Sequence, residues 1–292
     1  MKLIDHKTVI NKMKPRLFLN LIFKGVFLLA TLFGLLVLGI LLYRVITQGI
    51  GYLDWQFLNS LPSRKPEQAG VYTALIGSVW LMLVVAPLSL IIGVGTATYL
   101  EEYAKKNRFT NFIQINISNL AGVPSIVFGL LGLTVFVRAL ALGTSVLAAG
   151  MTMSLLVLPI IIVAAQEAIR TVPKDLREAS LGMGATKWQT IVRVVMPAAI
   201  PGILTGAILA LSRAIGETAP LVVLGLPLFL AFLPKTVFDM FTVLPMQIYN
   251  WTGRPQEEFQ VLAAAGIIVL LTLLIGMNSI AVIIRNKFQR RM

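Results

Sequence analysis

Residues Val71–Tyr99 read VYTALIGSVWLMLVVAPLSLIIGVGTATY, twenty-nine consecutive residues without an Asp, Glu, Lys or Arg. A helix rises about 1.5 Å per residue, so roughly 20 apolar residues cross a hydrocarbon core of about 30 Å, and this stretch has length to spare. Working outward from it, the same test selects Gly25–Val45, Asn111–Val137, Ser145–Gln166, Pro197–Val223 and Val261–Ile284. Arg44 sits at the far end of the first stretch, and only the fifth carries charge in its interior, at Arg213 and Glu217. With 57% hydrophobic and 13% charged residues and a mean hydropathy of +0.86, the chain holds more apolar surface than a soluble fold of its length can bury. The expectation is an all-α integral membrane protein of six transmembrane helices, with the lipid bilayer as its solvent.

Orientation follows from the basic residues, which are kept preferentially on the cytoplasmic side. The N-terminal tail to Lys24, the segments 101–110 and 167–195 and the end from Arg285 hold eighteen Lys and Arg; the intervening loops hold six. Both termini are therefore expected in the cytoplasm. The net charge of +13 and pI near 10.3 are thus a topology signal, and the basic residues do not form the aromatic-interleaved polar surface that nucleic acid requires. The first stretch follows a basic tail as a signal peptide would, but no small-residue cleavage site follows it, so it reads as an uncleaved anchor. There is no cysteine, and the one histidine, His6, lies in the charged tail. Ile46–Gly70 and Leu224–Gln260 form long outer segments broken by Pro and Gly, with Trp55, Tyr249 and Trp251 placed to anchor at headgroup level. The chain divides into an N-terminal tail, anchor and outer loop (1–69), a five-span core (70–285) and a basic tail (286–292).

The longest loop on the basic side, Arg170–Pro197, reads RTVPKDLREASLGMGATKWQTIVRVVMP. Pro173 suits the first turn of a helix and Asp175 its positive end, Gly182 and Gly184 interrupt the pattern, and Thr186 and Gln189 have capping-box spacing. Two short helices are predicted. Small residues Ala179, Ser180 and Gly182 allow a partner close approach, with Lys174, Arg177 and Glu178 as charges at the rim. Glu178-Ala179-Ser180, then Gly184, then Val194-x-Met196-Pro197 resembles the EAA loop of bacterial ABC importer permeases, with Ser, Val and Met replacing Ala, Ile and Leu at unchanged spacing. The resemblance implies that Glu178, Ala179, Ser180, Gly182 and Gly184 form a coupling helix seated in a cleft of an ATP-hydrolysing subunit. An ordinary amphipathic connector is the rival reading.

Four further segments narrow the resemblance: Tyr99–Ala104 (YLEEYA), Asn116–Gly129 (NISNLAGVPSIVFG), Pro201–Gly206 (PGILTG) and Ser212–Pro220 (SRAIGETAP). All four are similar to phosphate-specific ABC importer permeases of the A-type, a type I importer family. That resemblance implies translocation of inorganic phosphate by alternating access in the bacterial cytoplasmic (inner) membrane. It also implies a heterodimer with the related C-type permease, two ATP-binding subunits and an extracytoplasmic phosphate-binding protein. No cofactor is expected on this chain; ATP and Mg belong to the partner ATPase. The sequence offers no glycine-rich phosphate loop with its lysine and no nucleophile-base cluster, so a membrane-embedded enzyme is disfavoured.

Arg213 and Glu217 are costly inside a bilayer and so face protein or water. Their i, i+4 spacing allows a self-neutralising structural pair, while a guanidinium fork also suits phosphate oxygens. A carboxylate beside an anion becomes useful if it accepts a hydrogen bond from a protonated phosphate oxygen, which sulfate lacks. Pro87, Pro124, Pro159, Pro220 and Pro227 fall in or near spans as kinks, and at Gly122-Val-Pro124-Ser125 a turn can unwind and expose backbone to a pathway. Gly202, Gly206 and Gly216 permit close packing, either against a second permease chain or facing lipid.

Overall fold

The computed structural model describes residues 6–289 and is helical throughout, apart from loops and one bridge between Ser145 and Met240. The tips of both basic tails and the side chain of His6 lie outside the described residues. In chain order the helices are α1 (His6–Gly49), α2 (Trp55–Asn59), α3 (Tyr72–Thr98), α4 (Arg108–Leu120), α5 (Ser125–Gly132) and α6 (Val146–Arg170). They continue with α7 (Lys174–Gly182), α8 (Lys187–Thr190), α9 (Met196–Gly216), α10 (Ala219–Leu224), α11 (Leu244–Thr252) and α12 (Glu257–Gln289). Wider π-helical turns prolong α3 over Tyr99–Tyr103 and α5 over Leu133–Ala139, and join α8 to α9 over Ile191–Val195.

Among the described residues, five helical runs have the length and apolarity to cross a bilayer, and α4 with α5 makes a sixth only as a pair bent by 104°. The third predicted span is therefore broken. Pro124 has no N–H to give and disfavours helical geometry at Val123, so α4 ends before it and α5 restarts with Pro124 as its N-cap. The fifth predicted span is broken as well: Pro220 would clash with the carbonyl four residues back, at Gly216, where α9 stops. Pro87 and Pro159, in contrast, sit inside the unbroken helices α3 and α6.

Helix α6 is the centre of the bundle, with Met153, Val157 and Ile161 in the main core between α3 and α9. Near the end that carries the basic loop, Ala97 and Leu100 of α3 meet Ile162, Ala165 and Ile169 of α6 and Val195 and Ala199 beyond α8. Gly202 and Gly206 of α9 lie directly against Ala168 and Ala164 of α6. Their close packing is therefore within this chain, while Gly216 has nothing within 4 Å. Helix α1 is exposed along its apolar length and joins the bundle at its outer end, where Gly49 abuts Ala264 and Ala265 of α12.

The two outer segments fold onto each other. Phe57 of α2 and Trp251 of α11 pack with their ring centroids 5.9 Å apart and their planes tilted by 35°, and both are buried with Phe259 and Leu262. Trp251 is thus a core residue and not a headgroup anchor, whereas Trp55 and Tyr249 are exposed. The stretch after α10 caps the N-terminus of α6: Leu147 N–H donates to the Val237 carbonyl (2.8 Å) and Val146 N–H to that of Asp239 (3.2 Å). The Asp239 carboxylate accepts the N–H groups of Lys235 (2.7 Å) and Thr236 (2.8 Å), which hold its pKa below the ordinary carboxylate value. A depressed carboxylate contributes order that is complete above its unfolded pKa of about 4 and is lost as pH falls through the lower folded value. Asp239→Ala should make residues 230–240 protease-sensitive at neutral pH, where the parent loop resists and yields only under strong acid. Equal cleavage of both at neutral pH would contradict this.

Candidate functional site

On the basic side, Pro173 serves as N-cap of α7, one position earlier than expected, and Asp175 lies in the first turn. The helix ends on two short bonds, Met183 N–H to the Ala179 carbonyl (3.0 Å) and Gly184 N–H to that of Leu181 (2.9 Å). Gly184 takes φ +88°, a left-handed conformation that makes glycine the fitting residue in this turn. The predicted capping box is present: Thr186 Oγ1 accepts from Gln189 N–H at 3.3 Å and Gln189 Oε1 from Thr186 N–H at 2.9 Å. Ser180, which stands where the family pattern has Ala, uses its hydroxyl to tie the two short helices together, 2.9 Å from Thr190 Oγ1.

Among its exposed charges, Lys174, Asp175 and Lys187, this loop also presents apolar and small residues outward. Glu178, Ala179 and Gly182 are exposed, as are Leu176, Leu181, Trp188 and above all Met183, at 89%. Leu176, Ser180, Met183, Ala185, Gln189 and Val194 line a hollow of about 500 Å³ between the short helices. Arg177 is not at the rim. Its guanidinium turns inward, donating to the carbonyls of Ile169 (2.8 Å) and Val172 (2.9 Å) and pairing with Glu102 at 3.1 Å. Glu101 pairs with Arg170 at 2.7 Å and accepts from Gln166 at 3.0 Å. Within Tyr99–Ala104 the sequence assigns these two glutamates no role, although two adjacent carboxylates at the basic end of a span are a visible signal.

At the far end of α9, Arg213 Nε donates to Glu217 Oε1 at 3.2 Å. Glu217 is no longer helical: it is the C-cap of α9, with ψ 124°. Past this break α10 packs on α5, where a Cβ on Gly129 would stand 2.8 Å from Pro220 Cα. A Cβ on Gly132 would meet Thr152 of α6 and stand 2.9 Å from Leu224 Cδ1, so α5 and α10 run side by side from breaks at Pro124–Ser125 and Glu217–Thr218. Ser125 is half-buried and Pro124 exposed. Ser212 Oγ lies 2.7 Å from Asn278 Oδ1 of α12, which fixes the rotation of α9 next to Arg213. Asn278 is uncharged and gives no signal of this contact in the sequence.

Residues 89–291 match the family described as the binding-protein-dependent transport system inner membrane component. The chain belongs to this family. The match takes in the last part of α3, the broken helices, the basic loop and the Arg213–Glu217 pair. The permease is 36% identical to phosphate transport system permease protein PstA 1 of Mycobacterium tuberculosis (strain H37Rv), over 86% of this chain and 82% of that one. It is 31% identical to PstA of Haemophilus influenzae over 89% and 91% of the two chains. With the probable ABC transporter permease protein YqgI of Bacillus subtilis the identity is 36% over 66% of each.

Among solved structures, a bacterial ABC transporter involved in the import of the acidic polysaccharide alginate superposes with a TM-score of 0.57, over 95% of this chain and 99% of that one, at 15% identity. The inward-facing MetNI methionine ABC transporter gives 0.58 over 75% and 95%, at 18% identity. Likeness at that distance is a likeness of fold, that of type I ABC importer permeases. The permease is thus a multi-pass inner membrane component of a bacterial importer, working with a separate binding protein and with ATP hydrolysis on another subunit.

Proposed function

We propose that this permease conducts inorganic phosphate, with Arg213 and Glu217 on the path and Glu178, Ala179, Ser180, Gly182 and Gly184 as the seat for the ATPase. The observation that carries the pathway reading is the half-used guanidinium. Arg213 spends only Nε on Glu217, and among the described residues neither Nη has a protein acceptor within hydrogen-bond reach. A purely self-neutralising pair would place both carboxylate oxygens on the fork; here four N–H groups stay available to an oxyanion. Unwound backbone over 121–124, just before Ser125 starts α5, supports the same path, since discontinuous helices in transporters line binding sites. The phosphate-transport names of the PstA relatives point to the same cargo.

The outward face of the basic loop supports the coupling role, because Leu181, Met183 and Trp188 are costly to leave in water and suit a cleft on a partner. A single chain supplies half a pathway, and a related C-type permease is the proposed second half, with two ATPases below and a phosphate-binding protein outside. Uptake of labelled phosphate by cells whose own subunit is replaced by this chain tests the cargo. Restored uptake that excess sulfate fails to suppress supports phosphate; an assembled, ATPase-bound permease without uptake points to another oxyanion.

A further inference from the structure

The π-helical turn that ends α3 engages three cations with three successive residues. Glu101 holds Arg170 at the end of α6 (2.7 Å), Glu102 holds Arg177 of α7 (3.1 Å), and the Tyr103 ring carries Lys187 of α8 at 4.9 Å from its centroid. Each cation belongs to a different helix. A π turn packs more residues into one revolution than an α turn, so consecutive side chains fan over a narrower arc and can meet one loop together. The segment closes with Ala104 N–H on the Tyr99 carbonyl at 2.9 Å, five residues back.

These contacts differ from ordinary surface ion pairs. The side chains of Glu101 and Glu102 are only 16% and 12% exposed, and that of Arg177 21%. Partial burial strengthens each attraction and makes an unpaired partner costly. Glu101 also accepts from Gln166 of α6, and Arg177 also bonds two carbonyls around the end of α6. Only Thr171–Pro173 joins α6 to α7, and only Met183–Thr186 joins α7 to α8. Links that short and irregular would let α7 swing as a flap if nothing else held it.

We propose that Glu101, Glu102 and Tyr103 are positioning residues that make the basic loop and the end of α3 one moving body. Displacement of α7 then reaches α3 directly through Glu102 and is not absorbed in the 171–173 link. From α3 it passes to α6 through Ala97 and Leu100, and from α6 to α9 across the Gly–Ala contact, the helix that carries Arg213. The inference rests on the reading of Glu178–Gly184 as the seat of the ATPase.

The test uses the full importer, with its ATPase and binding protein, in proteoliposomes. ATP consumed per labelled phosphate imported is measured for the parent and for Glu101→Gln with Glu102→Gln. A structural defect lowers both quantities and leaves their ratio; loss of the clamp should raise it at least about fivefold, as expected when a charge-assisted bond is removed. An unchanged ratio overturns the proposal. Because the chain has no cysteine, spin labels placed by Lys106→Cys and Lys174→Cys report the distance between the end of α3 and α7 without regard to cargo or to the folding of the glutamine variants. That distance should stay the same between nucleotide-free and ATP-closed states, and a change of several ångströms would overturn the clamp. The seat itself is checked separately with Glu178→Lys and Ala179→Trp: if the ATPase still co-purifies, the seat reading fails, whereas its loss together with a shifting label distance rejects the clamp alone.

Discussion

Gly206→Leu should remove nearly all folded permease from the membrane fraction. A Cβ at Gly206 would stand 2.2 Å from the Ala164 Cβ, and one at Gly202 would stand 2.8 Å from the Ala168 Cβ. The obstacle is a methyl fixed to the neighbouring backbone, not the end of a flexible side chain, so the only relief is for α6 and α9 to move apart. That separation would open the contact between the central helix and the one bearing Arg213. Overpacking of this kind costs about 1–3 kcal/mol in soluble cores. Between helices in lipid the close contact itself is the main attraction, because the surrounding tails are as apolar as the side chains. Gly216→Leu is the control: nothing lies within 4 Å of that position, and its folded yield should match the parent. Gly206→Ala should fall between the two and recover when Ala164→Gly is added, since the two changes exchange one methyl across one contact. Size-exclusion profiles of detergent extracts report the outcome; a normal peak from Gly206→Leu would mean that the two helices do not meet there.

The same contact shows what the sequence could and could not disclose. Apolar length is a property of a stretch by itself, so α3, α6 and α12 were legible within a few residues from charge spacing alone. The partner of a small residue is a relation between two stretches, and nothing in Gly202-x-x-x-Gly206 says that Ala164 and Ala168 of the same chain face it. Prolines divide in the same way. Pro87 and Pro159 lie in continuous helices, where neighbouring packing makes good a lost hydrogen bond, while Pro124 with Gly122, and Pro220 with Gly216 four residues before it, mark breaks. A hydropathy window counts both kinds alike and runs through both breaks; only at Gly122–Ser125 does the pairing of Gly with Pro mark an unwound turn. In the basic loop the local chemistry was readable, because a capping box and a left-handed glycine depend on near neighbours only. The inward turn of Arg177 was not, since it depends on Glu102, seventy-five residues away in sequence. Trp251 was misplaced for the same reason: its burial comes from Phe57 in the other outer segment.

Arg213→Gln should cut phosphate uptake by about 10- to 100-fold, the loss expected when hydrogen bonds worth about 1.5–3 kcal/mol to a charged group are removed. Its effect should fall on transport and leave the folded yield near that of the parent, because the Arg213 side chain is 50% exposed and its one bond, to Glu217, stays close to the surface of the helix. Glu217→Gln should behave differently. The amide oxygen still accepts from Arg213 Nε, so the guanidinium keeps its aim and most phosphate uptake should survive. What disappears is the negative charge, which repels an anion that has no proton to donate, and one acceptor oxygen, replaced by an NH2 that can itself donate to such an anion. Excess sulfate should therefore begin to compete in Glu217→Gln although it does not in the parent. The two variants together separate the two roles of a pair that an i, i+4 spacing cannot separate. If Arg213→Gln imports at the parent rate, the pair only orients the end of α9 and the anion passes elsewhere. If Arg213→Gln is impaired while Glu217→Gln keeps full selectivity, Arg213 binds the anion and Glu217 serves only to aim it.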